Sequence, residues 1–205
     1  NALDRTVIGN RSPGAQVVSD VFLGAAIALP FGADLLDVLV TRPPDGARGF
    51  GADALMLAET FALNFLVNNV VKYAVARPRP LAYDPQFEEE KRLDPDAALS
   101  FYSGHSSTAF AMATAYSYLF MKRHPRSRWV IPVWLLSEGL AASTAFLRVY
   151  SGKHFYTDVL TGAAAGAAAG LLIPVLHHRA LAGSAVRLAP TAYAGGMGLS
   201  LTVTN

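Results

Sequence analysis

The sequence predicts an all-α protein: a bundle of about five to six helices, embedded in a membrane, with a candidate active site at one end. Three observations carry that expectation. Hydrophobic residues make up 52% of the 205-residue chain and charged residues only 16%, against roughly 25% charged in an average soluble domain. The mean hydropathy is positive, +0.31. Five long apolar stretches are separated by segments rich in proline and charge, and alternating those stretches gathers the chemically active loops at one end.

The length suits a single domain, residues 1–205. The net charge of +2 is too small to point to nucleic acid. Cysteine is absent, which excludes a disulfide framework, a cysteine metal site and a cysteine nucleophile. The chain opens on Asn1 rather than Met, so a processed N-terminus is expected, a removed signal peptide being one explanation.

The first helix is expected from about Val17 to Val40, ending at Arg42-Pro43-Pro44-Asp45-Gly46. The second runs from about Ala52 to Val75 and stops before Pro78 and Pro80, which cannot continue a helix. A polar loop, Arg79 to Ser103, carries the acidic residues between Asp84 and Asp96. The third helix begins near His105, announced by Ser103, Ser106 and Ser107, and reaches Phe120. The basic segment Lys122 to Arg128 closes it. The fourth covers about Trp129 to Phe146 and the fifth about Tyr156 to Leu176. Beyond Arg187, Gly195-Gly196 and the alternation Leu199, Leu201, Val203 point to a short strand or an extended end.

A membrane span needs roughly 20 mostly apolar residues. The fourth and fifth helices meet that. The first carries Asp20, Asp34 and Asp37, and the second Glu59, Asn64, Asn68 and Asn69. An ionisable group at mid-bilayer costs about 2.5–3.5 kcal/mol on insertion scales, so these groups are expected to face the bundle interior. Gly162, Gly166 and Gly170, spaced by four, offer a smooth face for close packing in a membrane bundle or a tight soluble one. Arg42, Arg48, Lys122, Arg123, Arg126, Arg128 and Arg179 fall on one side of the alternation, the acidic run and the candidate site on the other. Counting positive charge places the first side in the cytoplasm.

Three clusters carry chemistry. Lys72 and Arg79 lie seven residues apart, on one helical face until the prolines turn the chain. Two cations suit an oxyanion, and arginine pairs with phosphate in two places. Read alone, the pair is equally a basic patch flanking a membrane. Ser103-Gly104-His105 opens an apolar helix, whose free N–H groups form an anion site. Gly104 admits close approach, and His105 titrates near neutrality. Read alone, it is a serine cap with an incidental histidine. Arg148, His154 and Asp158 form the third; four residues apart, His154 and Asp158 are neighbours if a helix begins there, and read alone they are a surface pair.

Together the clusters resemble the type 2 phosphatidic acid phosphatase superfamily, which also holds bacterial acid phosphatases and vanadium haloperoxidases. Its motifs KxxxxxxRP, PSGH and SRxxxxxHxxxD read here as Lys72 to Pro80, Tyr102-Ser103-Gly104-His105, and Leu147-Arg148 through His154 to Asp158. Tyr102 and Leu147 stand where the family has Pro and Ser. Arg77-Pro78 offers a second Arg-Pro, but the spacing from Lys72 selects Arg79. The resemblance covers about residues 51–176.

The resemblance implies a metal-independent phosphatase acting on phosphate monoesters or pyrophosphates, with membrane lipids as the favoured class. His154 would attack phosphorus, oriented by Asp158; His105 would protonate the leaving oxygen. Lys72, Arg79, Ser103, Gly104 and Arg148 would hold the phosphoryl oxygens. No metal or other cofactor is expected. The expected location is a bacterial-type inner membrane with the site facing the periplasm. The alternatives are a soluble periplasmic acid phosphatase for small phosphoesters and a non-catalytic phosphate-binding membrane module. The chain is short for a haloperoxidase. Glu88-Glu89-Glu90 reads as a solvated loop face, and His124, His177 and His178 as surface or interface residues at the opposite end.

Overall fold

The computed structural model describes the backbone of residues 1–183, 185–193 and 196–204, and side chains through His178. Seven α-helices are described: α1 (Ala2–Arg5), α2 (Pro13–Thr41), α3 (Gly46–Val75), α4 (Glu89–Arg92), α5 (Gly104–Arg123), α6 (Val130–Tyr150) and α7 (Tyr156–Gly183). The five long ones are the five expected from sequence. An antiparallel hairpin follows, β1 (Ala185–Tyr193) and β2 (Gly196–Thr204), with Val186 opposite Val203. The expected terminal strand is therefore a pair of strands. Gly195, and the side chains of Arg179, Leu199, Leu201 and Val203 on which part of the sequence reading rested, lie outside what is described.

Several helices are longer than expected. The Ser12 hydroxyl caps α2 by accepting from the Ala15 N–H at 3.2 Å, with Pro13 in the first turn, so α2 begins four residues early. α3 starts at Gly46 rather than near Ala52, with Gly46 packed on Val38 and Pro43, and its first turns are helical despite the low propensity of Gly46, Gly49 and Gly51. It stops at Ala76, whose left-handed φ of 45° turns the chain into Arg77-Pro78. α6 continues to Tyr150 and so carries Arg148 on a helix rather than in a loop.

The bundle is arranged around α5, which packs against α2, α3, α6 and α7. Its buried residues are mostly small: Ser106, Ser107, Ala109, Ala111, Ala113 and Ala115. α7 approaches it closely along the glycine face. A Cβ on Gly162, Gly166 or Gly170 would come within 3.0 Å of the carbonyl oxygens of Ser103, Ser107 and Ala111 respectively. The start of α7 is thereby pressed against the start of α5. Ser103 N–H donates to the Asp158 carbonyl at 3.1 Å, and the Ser106 hydroxyl to the Val159 carbonyl at 2.7 Å.

Large aliphatic and aromatic side chains point outward instead: Leu36, Leu39, Val70, Ile131, Leu135 and Phe146 are all well exposed. Of the polar groups expected to face inward, Asp34, Asn64 and Asn68 are buried, while Asp20 and Glu59 are partly exposed and Asn69 bonds the Phe65 carbonyl of its own helix. Asn64 donates to the Thr108 hydroxyl at 3.0 Å, Asn68 to the Tyr102 carbonyl at 2.9 Å, and Thr114 to Glu138 at 2.8 Å. Four helical segments, built on α2, α3, α6 and α7, are long and apolar enough to cross a bilayer. A polar, small-residue interior inside an apolar exterior is the arrangement lipid demands, and water would penalise it. The fold is a membrane bundle, and the soluble alternative does not fit this surface.

Candidate active site

The three sequence clusters converge at one end of the bundle, from α3, α5, α6, α7 and the segments that join them. α3 delivers Lys72, and the segment after it delivers Arg79. α5 delivers Ser103, Gly104 and His105 at its first turn, α6 delivers Arg148, and the α6–α7 loop delivers His154. That loop is fixed from outside. Asn10 donates to the Val149 carbonyl at 3.1 Å, and its own carbonyl packs so closely on Gly152 (φ 71°) that any Cβ there would collide.

His154 is buried, with 1% of its surface exposed. Its Nδ1 lies 2.9 Å from the Ser100 carbonyl. A carbonyl only accepts, so Nδ1 carries the hydrogen, and in the neutral ring Nε2 keeps its lone pair. Burial holds the imidazole well below its ordinary pKa, and the charges of Arg79 and Arg148 push the same way, so the ring is neutral near pH 7.

The direct His154–Asp158 bond expected from spacing is not formed: Nδ1 and Oδ2 are 3.8 Å apart. The reason is local. α7 begins at Tyr156, so His154 precedes the helix and does not share its face. The Asp158 carboxylate is occupied elsewhere. It accepts from the Ser100 hydroxyl at 2.6 Å, the Phe155 N–H at 2.9 Å and Arg77 Nη1 at 2.6 Å. Ser100 thus ties Asp158 to His154 by offering its hydroxyl to one and its carbonyl to the other.

Ser103 caps α5, its hydroxyl accepting from the Ser106 N–H at 3.4 Å. The approach allowed by Gly104 is real: a Cβ there would lie 2.8 Å from Asn68 Oδ1 and 3.6 Å from Lys72 Nζ. Lys72 therefore stands beside the α5 N-terminus, and it makes no ion pair among the described residues. Arg79 is buried and pairs with Asp96, through Nη2 to the carboxylate at 2.8 Å and Nε to the carbonyl at 3.0 Å. Arg148 is buried too. Its Nη1 reaches the Ser19 hydroxyl and Asp20 Oδ1, both at 3.1 Å, while its Nε is buried with no partner among the described residues. A cleft of about 340 Å³ opens beside Arg79, lined also by Lys153, Lys91, Gln16 and Asp96.

His105 Nε2 lies 2.8 Å from Asp20 Oδ1. Burial, with Arg148 and Lys72 nearby, pushes its pKa down to about 4 despite the Asp20 carboxylate. Glu88-Glu89-Glu90 is exposed, as expected. At the opposite end His177 Nε2 pairs with Glu59 at 2.5 Å, while His124 is half-buried against Asp37 at 2.8 Å. No cluster suited to a metal occurs among the described residues.

Sequence reasoning singled out neither Ser100 nor Asp96, and gave Asp20 and Arg77 no place in the site. Arg77 had surfaced only as a second Arg-Pro. In the structure it holds Asp158 and also Asp4 (2.9 Å), with its guanidinium 4.3 Å over the Phe155 ring. Asp20 had surfaced only as a costly charge in an apolar helix.

A family model described as the PAP2 superfamily matches residues 53–182. Phosphatidylglycerophosphatase B of Bacillus subtilis (strain 168) is 32% identical over 115 residues, 56% of this chain and 53% of that protein. A lipid A 1-phosphatase of Porphyromonas gingivalis is 39% identical over 85 residues, 40% of this chain and 17% of that one. A lipid A 1-phosphatase of Rhizobium johnstonii is 32% identical over 133 residues, 64% of this chain and 50% of that one. The match thus spans about half the length of these curated relatives or less. Two solved structures share the fold. The transmembrane PAP2-type phosphatidylglycerolphosphate phosphatase from Bacillus subtilis has TM-score 0.60 and 24% identity, covering 87% of this chain and 84% of that one. Aquifex aeolicus LpxE has TM-score 0.56 and 20% identity, covering 85% and 93%.

Proposed function

The chain belongs to the PAP2 superfamily, and from that premise we propose that it is a membrane phosphatase that hydrolyses phosphate esters or pyrophosphates of lipids through a phosphohistidine on His154. The observation that carries the reading is the presence at one end of the bundle of a neutral, buried His154, whose Nδ1 hydrogen is held by Ser100, and of an Arg148 whose buried Nε has no partner among the described residues. The first supplies a free Nε2 lone pair for attack. The second is a donor awaiting an acceptor, which a phosphoryl oxygen supplies.

Phosphoryl transfer asks chiefly for positioning and for cations around the moving oxygens. Lys72, Arg79 and Arg148 are the cations, and the Ser103 hydroxyl and the N–H groups at the α5 N-terminus add neutral donors. Arg79 already holds the exposed Asp96, which moves aside for an incoming anion, whereas Arg148 offers its Nε while Nη1 keeps Asp20. His154 Nε2 forms the P–N bond as the P–O bond to the leaving group breaks. The leaving oxygen takes its proton from His105, and water then releases phosphate from His154 with His105 as base. These steps use only side chains and water, so turnover is proposed to be metal-independent.

A lipid phosphate is favoured because the site lies at one end of an apolar bundle, where a headgroup can enter with its chains still in the bilayer. Positive charge at Arg42, Lys122, Arg126 and Arg128, on the opposite end, supports a cytoplasmic position for that end and a site outside an inner membrane. Because the chain lacks cysteine, Glu89→Cys and Arg126→Cys variants can be labelled with an impermeant maleimide on intact spheroplasts. Labelling of position 89 alone is expected, and labelling of position 126 alone would invert the topology.

The chemical test is phosphate release by the purified chain in detergent with chelator present. It compares a lipid phosphate with a small aryl phosphate, wild type beside His154→Ala. Selective turnover of the lipid, lost in the variant, is the expected result. Equal turnover of both esters would keep the chemistry and remove the lipid preference. Absence of His154-dependent release would leave a phosphate-binding membrane module.

A further inference from the structure

Asp20 lies on α2, outside the residues matched by the family model. Its Oδ1 meets two groups of the site at once, His105 Nε2 at 2.8 Å and Arg148 Nη1 at 3.1 Å. No other carboxylate among the described residues bonds His105. We propose that Asp20 is the positioning residue for His105: it holds the Nε2–H, turns Nδ1 toward the substrate, and favours the charged ring that donates to the leaving oxygen. The proposal rests on the phosphatase reading above.

The geometry explains why His105 needs such a partner. An ionised carboxylate can only accept, so Nε2 carries a hydrogen, and Nδ1, which has no protein partner among the described residues, is the nitrogen left for the reaction. The groups facing the ring are Asp20 from α2, Arg148 from α6 and Lys72 from α3. Burial and the two cations favour the neutral ring, and Asp20 alone opposes them. An incoming phosphoryl group neutralises Arg148 and Lys72. Asp20 then tips His105 toward the imidazolium at the moment an acid is required. The Nδ1 proton passes to the leaving oxygen, which takes the electron pair of the broken P–O bond, and the P–N bond forms at His154. In the second half the attacking water returns a proton to Nδ1.

The sign of the pH effect follows. Without the carboxylate the charged ring is less favoured, so the basic limb of the kcat profile, which reports loss of the His105 proton, moves to lower pH. The experiment uses the full chain in detergent micelles: wild type, Asp20→Asn and Asp20→Glu. Each is assayed on a lipid phosphate with an alkoxide leaving group and on an aryl phosphate whose leaving oxygen needs little protonation. Asp20→Asn is expected to lower kcat on the lipid ester about ten- to a hundredfold and to shift the basic limb acidward. KM should stay level or fall, and the aryl ester should be affected far less, with Asp20→Glu recovering part of the loss. An equal loss on both esters with no shift of the profile would make Asp20 a structural residue and overturn the proposal. A rise in phosphate affinity at unchanged kcat would make it a mere occupant of the Arg148 site, with the same consequence.

A second readout does not depend on turnover. The His105 ring, assigned by its disappearance in His105→Gln, is titrated by NMR in the ligand-free protein. Its midpoint is expected to fall in Asp20→Asn, and an unmoved midpoint overturns the proposal. If wild type releases no phosphate from either ester, the phosphatase reading fails, and the titration still decides whether Asp20 sets the charge of His105.

Discussion

The two ends of the bundle are both built on arginine, and they use it in opposite ways. At the cytoplasm-facing end in the proposed topology, Arg123 is enclosed by three carboxylates: Asp34 at 2.5 Å, Asp37 at 2.9 Å and Asp53, with His124 on Asp37. At the other end Arg79 and Arg148 each hold one carboxylate at least half exposed, and among the described residues Lys72 has no ion pair and Arg148 Nε no partner. A cation surrounded by buried carboxylates is committed to holding helices together. Cations with spare donors, facing exposed and displaceable acids, are committed to something that arrives. Arg77 shows the same rule inside the site: bound to both Asp4 and Asp158, it is a fastening rather than a phosphate ligand.

Three substitutions sharpen that contrast, ordered by their effect on turnover per folded molecule. His154→Ala removes the proposed nucleophile and is expected to cut kcat by about 10⁴-fold or more while thermal unfolding in detergent stays near wild type. Arg148→Ala removes charge stabilisation and is expected to lower kcat/KM about 10²–10³-fold. Its stability loss should be small, because the Asp20 partner it leaves behind reaches solvent. A large loss of stability with intact turnover would reverse the assignment of the two ends. Arg123→Ala should do the opposite. It strands Asp34 and Asp53, leaving Asp37 only His124, and is expected to cost about 3–5 kcal/mol of stability, read as a lower unfolding temperature. Molecules that remain folded should turn over at nearly the wild-type rate.

The sequence reading and the structure agree most closely where chemistry depends on spacing along one element. Ser103 caps α5 at the position its neighbours indicate, because a cap is a contact within a few residues. Gly162, Gly166 and Gly170 meet another backbone, because a spacing of four puts them on one helical face. The contacts that escaped are those whose partners lie far away in the chain. Asp20 and Arg148 are 128 residues apart, Ser100 and Asp158 58 apart, and Arg77 and Asp158 81 apart. The one short-range expectation that failed, His154 bonded directly to Asp158, assumed a helix beginning at His154. The helix begins two residues later, and Ser100 takes the vacant place.

By itself, then, the sequence determined the helical membrane class, through long apolar stretches with few charges, and the set of candidate site residues, through three spaced motifs. Tertiary structure decided which charges remain free to act. Whether an arginine is a phosphate ligand or a rivet depends on how many carboxylates surround it and how deeply they are buried. Those neighbours come from helices that only folding brings together.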